Sequence, residues 1–391
     1  MLANPAVVYI CAWSLSLFLY SLDYSNIFLE LSDLTVRYIY FSMLSVGLTW
    51  LFFTAWTGTA YFTYKKSSLL TPFSEAADRK IIILLYIWCA FSLLELLYFR
   101  DLPVLSLVGL SSMSYHDYGI PSLHGFLNAI LLSLSMYSLY KLLETGKRKY
   151  LGFYLLTLIA PILIMNRGGL VSLLIESFFV FVVFKKIHWL SFGKFAVLLI
   201  GFLFVFAWLG ELRNVSGSEQ LYDVFQISDN YPPWMPKGFI WVYMYLTSSL
   251  NNVENMIGTY ADLNFEPYYV LFSFFPTVIR DMLPPPNTVD LVVSAFNVSS
   301  FMPNYLSAFG FYGTFIFYFL ASLVPMYVYY KFVQTKRLSY GFALVIFLHS
   351  IALSIFSDFF FIQVYVFQVL LQFIVFMKIR ASEDLRCLII K

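Results

Sequence analysis

The chain alternates long apolar runs with short polar breaks along most of its length. Many of the runs approach 20 residues, the length a helix needs to cross a hydrocarbon core of about 30 Å. Within each run the apolar positions are continuous rather than alternating, which predicts helices and speaks against membrane strands. Ten spans are expected, at residues 6–22, 38–64, 80–99, 123–143, 150–165, 168–184, 192–209, 305–330, 340–359 and 363–377. The run 102–110, bounded by Pro103, is too short to cross and reads as interfacial or re-entrant.

The polar breaks orient these spans. With the N-terminus inside, the inside segments carry Lys65, Lys66, Arg79, Lys80, Lys141, Lys147, Arg148, Lys149, Lys185, Lys186 and Lys194. They continue with Lys331, Lys336, Arg337, Lys378, Arg380, Arg386 and Lys391, eighteen of the 24 basic residues in all. Only Arg37, Arg100, Arg167, Arg213, Lys237 and Arg280 fall outside. Positive charge collects on cytoplasmic segments, so the expected topology is N-in, C-in. The chain then divides into residues 1–209 with seven spans, residues 210–304 as one long outside loop, and residues 305–391 with three spans and a short inside tail. The expected fold class is an all-α polytopic membrane protein with about ten transmembrane helices.

Composition agrees. Of 391 residues 60% are hydrophobic and 12% charged, against about 25% charged in soluble domains, and mean hydropathy is +0.77. Cys11, Cys89 and Cys387 are far apart, which implies neither a disulfide framework nor a zinc site. A net charge of +2 points to no nucleic-acid partner. The N-terminal run has no basic leader and reads as a first span rather than a cleaved signal. Interfacial belts account for most of the aromatic residues. The loop cluster "DNYPPWMPKGFIWVYMY" invites a sugar-stacking reading.

Topogenesis disfavours outside cations, so three arginines stand out. Arg167 lies in "MNRGG", where two glycines are expected to form a tight turn that opens a helix able to face an anion. Arg213 follows the seventh span in "GELRN". Arg280, in "FFPTVIRDMLPPP", must end its helix near Leu283 because three prolines follow. Each has a plainer reading, as an interfacial anchor or as a partner of Glu211 or Asp281.

The outside loop, about 95 residues, needs structure of its own. Within it "WVYMYLTSSLNNVENMIGTY" has helical length and carries Asn251 and Glu254. It is expected to lie at the interface, apolar side in lipid and polar side towards the loop. Glu95, Glu176, Asn128 and His349 interrupt spans, either for function or for interhelical hydrogen bonding. His116 and His124 flank "SSMSYHDYGIPSLHGF" and are acid–base candidates, though their spacing says little. No metal is expected, and no residue declares itself as a base.

In span count, in its late outside loop, and in "NRGGL", "GELRN", "FFPTVIRD" and "MPNYLSAFGFYGTF", the chain resembles the Wzy-type polymerases of bacterial O-antigen and capsule repeat units. The likeness covers most of Tyr150–Phe332. It implies a GT-C-like integral membrane glycosyltransferase of the bacterial inner membrane, acting at the periplasmic face without metal or cofactor. Its implied substrates are undecaprenyl-diphosphate-linked oligosaccharides, its setting is the lipid bilayer, and the family leaves room for a chain-length regulator as partner. Arg280, Arg213 and Arg167 are then the expected catalytic clamp on the diphosphate, since guanidinium offers a planar, permanently charged fork. Asn166, Asn251, Glu254, Asp281, Tyr305 and His116 are the expected substrate-binding set. An O-antigen ligase is the nearest alternative, although residues 210–304 contain no histidine of the kind that family is expected to use. A lipid-linked-saccharide flippase is another alternative. A membrane acyltransferase lacks an evident histidine–acid pair around His349.

Overall fold

The computed structural model describes residues 3–57, 72–114, 117–185, 193, 201, 225–236, 239–259, 265–286, 291–292 and 300–377. These form helices α1 (Pro5–Tyr20), α2 (Asp33–Thr57), α3 (Glu75–Phe99), α4 (Leu123–Thr145), α5 (Arg148–Leu163) and α6 (Arg167–Phe184). After the seventh expected span, which lies almost wholly outside the described residues, come α7 (Phe239–Ile257), α8 (Tyr268–Leu271) and α9 (Thr277–Arg280). The chain ends with α10 (Met302–Thr335), α11 (Leu338–Ala352) and α12 (Gln363–Phe376). Six helices (α2, α3, α4, α6, α10 and α11, the last with the 3-10 turn that extends it) are long and apolar enough to cross a membrane, while α1 and α12 are shorter apolar helices. The chain is an all-helical, multi-pass membrane protein, and no strand occurs among the described residues.

Local chemistry sets the helix ends. Asn4, Ser74 and Asn166 cap α1, α3 and α6 by accepting backbone N–H bonds from Ala6, Ala77 and Gly169. Left-handed residues Arg100, Gly146 and Lys336 close α3, α4 and α10. The expected short run is a 3-10 helix over Pro103–Val108 and does not cross.

In lipid the hydrophobic effect does not hold helices together, so close packing and interhelical hydrogen bonds must. The Tyr9 hydroxyl donates to Ser42 (2.9 Å) and the Trp13 indole to Ser354 (3.1 Å). Ser45 on α2 donates to the Phe315 carbonyl of α10 (2.7 Å), and Thr49, one turn on, pairs with Ser322 (2.7 Å). Such bonds contribute roughly 0.6–2 kcal/mol each. Large apolar side chains such as Phe18, Trp56, Tyr86 and Leu97 remain exposed on the outward faces, where lipid would cover them.

One end of the bundle is aromatic and basic. Phe73 stacks on Tyr140 (centroids 5.1 Å), and Phe184, Phe332, Phe342 and Phe376 close around them. Lys80 donates to the Ile374 carbonyl (2.7 Å), and Lys141 pairs with Asp78 (3.4 Å). The start of α3 and the ends of α4, α6, α10 and α12 therefore share this end, together with the basic residues that border them. The ends of α3 and α5 and the starts of α4, α6 and α12 share the opposite one.

Four expectations need correction. The turn before α6 places its left-handed residue at Met165 (φ 56°), not at a glycine. Gly168 and Gly169 lie within the first turn of α6, and a Cβ at Gly169 would sit 3.2 Å from the Asn166 side chain that caps it. The ninth expected span stops as α-helix at Ala352, because the chain then turns through Asp358, whose Oδ1 accepts N–H bonds from Phe360 and Phe361. The polar side of α7 faces the loop only in part: Asn252 Oδ1 accepts the N–H of Val292 (3.0 Å), but Asn251 and Glu254 turn to the segment between α1 and α2. Asn251 is buried, taking N–H from Leu29 (2.8 Å) and donating to the Ile27 carbonyl (3.3 Å). Finally, "MPNYLSAF" is helical rather than a loop, and α10 breaks at Gly310 (φ 64°, ψ −176°). That conformation is open to glycine alone.

Candidate functional site

At the end opposite the aromatic and basic cluster, the segment carrying Arg280 folds as two short helices rather than one. Pro267 precedes α8, a 3-10 turn follows at Phe272–Phe274, and Pro276 restarts the chain as α9. Arg280 closes α9 with its guanidinium donating to Thr277 Oγ1 (3.2 Å) and lying 6.0 Å from the centre of the Phe272 ring. It is partly buried and forms no ion pair among the described residues, and its neighbour Asp281 is exposed. Three prolines then prevent further helix, as the sequence requires.

The segment is docked. Val278 donates its N–H to Ser122 Oγ (3.2 Å) at the start of α4. Ser122 is itself unusual, with φ 66° and ψ −43° and a Leu123 N–H to Pro121 carbonyl bond of 2.9 Å across it. This is a classic-handed γ-turn, rare and strained by about 1–3 kcal/mol.

Two residues beyond Ser122 stands His124, on the second position of α4. Its Nδ1 is 3.0 Å from Oε2 of Glu95, whose other oxygen accepts the Ile120 N–H at 3.0 Å. On α3 only Ala77 and Glu95 are buried, so the carboxylate is the exception on a helix that otherwise faces outward. Tyr118 sits edge-on to the imidazole at 6.0 Å between centroids. Burial, and then the nearby Glu95 charge, raise the Tyr118 phenol above its ordinary value.

Arg167 opens α6 at this same end, behind the Asn166 cap. Asn166 spends its side-chain oxygen on the Gly169 N–H (2.8 Å). Glu254 accepts from the N–H and hydroxyl of Ser32 (2.9 and 3.0 Å), which holds the start of α2. Asn251, as above, fastens the chain between α1 and α2. Tyr305 is buried among Phe301, Phe317 and Tyr318 and faces Asp358. Burial pushes the Asp358 carboxyl up to about 6. Arg213 and His116 lie outside the described residues. The structure thus sets Arg280, Arg167 and Asn166 at one end of the bundle, while Asn251 and Glu254 bond to the segment between α1 and α2 and Tyr305 is enclosed by aromatic rings.

Three features go beyond the sequence reading, which holds His124 as an acid–base candidate and Glu95 and Glu176 as polar interruptions of spans without pairing them. One is the Glu95–His124 pair, which is distinct from His349. Another is the buried chain in which Gln368 donates to Glu176 (2.9 Å), Gln372 to Ser133 (3.1 Å) and Tyr137 to Gln372 (2.7 Å). The third is Asp358. Among the described residues no three His, Cys, Asp or Glu side chains gather as a metal site would require. No family model, curated protein or solved structure matches the chain.

Proposed function

We propose that the chain is a GT-C-like glycosyltransferase of the bacterial inner membrane. It joins undecaprenyl-diphosphate-linked oligosaccharide repeats at the periplasmic face, in O-antigen, capsule or exopolysaccharide synthesis. The observation that carries this reading is Arg280: a partly buried guanidinium without an ion-pair partner among the described residues, held at the end away from the basic clusters. A charge that no described residue neutralises and that stands away from the basic side suits an anionic substrate group. The transfer reaction provides one, because negative charge grows on the departing diphosphate and a fixed cation stabilises it. Arg167, at the same end, and Arg213 complete the proposed clamp.

The test is reconstitution. The purified chain in phospholipid nanodiscs is given lipid-linked repeats extracted from the source bacterium with this gene deleted. A ladder of polymers, with release of lipid diphosphate, is the expected product. Single repeats that stay single refute the reading.

A second reading, a flippase coupled to proton or cation movement, is favoured by one observation. Among the described residues Glu176 Oε1 and Gln368 Oε1 are buried in the bundle without a hydrogen-bond donor, and buried carboxylates in spans often mark ion paths. Movement of labelled lipid-linked repeat between leaflets, without polymer, would select it.

A further inference from the structure

Glycosyl transfer to a sugar hydroxyl needs a group to take the hydroxyl proton. We infer that His124, oriented by Glu95, is that general base, which rests on the glycosyl-transfer reading and assigns its proton-accepting site. Oε2 of Glu95 receives Nδ1 of His124 at 3.0 Å. A carboxylate at Nδ1 fixes the tautomer with its proton there, which leaves Nε2 unprotonated and able to accept. Among the described residues Nε2 has no hydrogen-bond partner, and the side chain is 25% exposed while that of Glu95 is 4% exposed.

The ring is held from several sides. Glu95 cannot swing away, because its second oxygen is engaged by the Ile120 N–H. Gly119 (φ 115°) lies against the imidazole so closely that a Cβ there would be 2.5 Å from His124 Cγ. Tyr118 closes a further side. A purely structural polar contact on α3 would not need a carboxylate at the only buried position of its outer half, where burial of charge is costly. A base fixed by its surroundings loses little entropy in the reaction, which is what general-base catalysis requires.

Placement links the pair to the anion site. Ser122, two residues before His124, accepts the N–H of Val278, two residues before Arg280. The proposed base and the proposed diphosphate clamp are therefore held on opposite sides of one hydrogen bond. In the reaction the acceptor hydroxyl oxygen bonds to the anomeric carbon of the growing chain. The bond from that carbon to the diphosphate oxygen breaks, and its electron pair leaves on the lipid diphosphate. The hydroxyl proton passes to Nε2, and the imidazolium that forms is stabilised by Glu95 until it returns the proton to water.

The nanodisc assay tests the inference with the full chain. His124→Gly should slow transfer by roughly 10²–10⁴-fold, the usual share of a general base, and added imidazole should restore part of the rate. His124→Gln, which can still donate to Glu95, should lose kcat and keep KM. Glu95→Gln keeps an acceptor for Ile120 but can bind the wrong tautomer, so kcat should fall about a hundredfold with KM unchanged. Polymer made at the wild-type rate by His124→Gly or His124→Gln overturns the inference and leaves the function standing. A slow glycine variant that imidazole does not rescue assigns the ring a structural role and also overturns it. If the glycine variant does not fold, the kcat and KM of His124→Gln decide. A wild-type chain that makes no polymer overturns the glycosyl-transfer reading and the inference with it.

Discussion

Val278 donates its backbone N–H to Ser122 Oγ at 3.2 Å, and this bond fastens the Arg280 helix to the head of α4. Ser122 does so from a strained backbone (φ 66°). Ser122→Gly separates the two roles: it relieves the strain and deletes the acceptor. Thermal unfolding in detergent should stay level or rise. Transfer should fall roughly two- to tenfold, the equivalent of one lost hydrogen bond of about 0.5–1.5 kcal/mol. Loss of stability without loss of rate would show that the docking bond does not position the site.

Much of this arrangement is legible in the sequence, for physical reasons. Apolar length alone marks the helices, and basic residues mark their shared ends, because lipid admits few alternatives to a helix. The Glu95–His124 pair was within reach as well. Glu95 lies one turn before the end of α3 and His124 at the start of α4, so consecutive antiparallel helices must bring them to one depth. The break at Gly310 was not legible, since "FGFYGTF" has neither a charge nor a proline and glycine is common in membrane helices. Nor were the roles of Asn251 and Glu254, whose partners lie 222 residues away in sequence.

Gly310→Ala should therefore be costly. Its φ of 64° with ψ −176° breaks α10, leaving the Ala308 carbonyl to accept the Glu266 N–H at 2.7 Å. A side chain there strains the backbone by about 1–3 kcal/mol. The expected result is a lower unfolding temperature and faster proteolysis of the segment 265–286. An unaffected variant would indicate that α10 readily runs straight.

Asp358 gives a pH dependence. Its carboxyl is raised from 3.8 to about 6, first by burial. Between those values the folded chain holds a proton that the unfolded chain has released, so stability is greater on the acid side and falls as pH rises through the window. The loss is complete above about pH 6 and amounts to about 3 kcal/mol at most. Asn at this position keeps Oδ1 as acceptor for Phe360 and Phe361. Asp358→Asn should unfold at a higher temperature than the wild type at pH 7.5 and show a flatter profile between pH 4 and 6. Equal profiles for the two chains would count against a buried, proton-retaining carboxyl.

Orientation can be read by cysteine labelling in a background without Cys11, Cys89 and Cys387. Positions Lys65, Lys147, Lys186, Lys336 and Lys391 should react only after the membrane is permeabilised. Ser218 and Asn287 should react with impermeant reagent in intact spheroplasts. A cytoplasmic Ser218 would put the long loop on the wrong side for substrate already carried to the periplasmic leaflet.

Arg280 is the decisive position. Its guanidinium is fixed by Thr277 and Phe272 but not neutralised by a carboxylate among the described residues, so its charge remains available to a ligand. A charge-assisted contact to a diphosphate oxygen contributes about 1.5–3 kcal/mol. If it strengthens as the leaving group departs, its loss slows transfer roughly tenfold to a hundredfold or more. Arg280→Ala should then leave single repeats and abolish long chains in cells, with the protein present at its usual level. Arg280→Lys should recover part of the activity, since a point charge replaces the monopole but not the two-pronged fork. Chains of normal length from Arg280→Ala at normal abundance would remove Arg280 from the proposed clamp, and with it the observation on which the assignment rests.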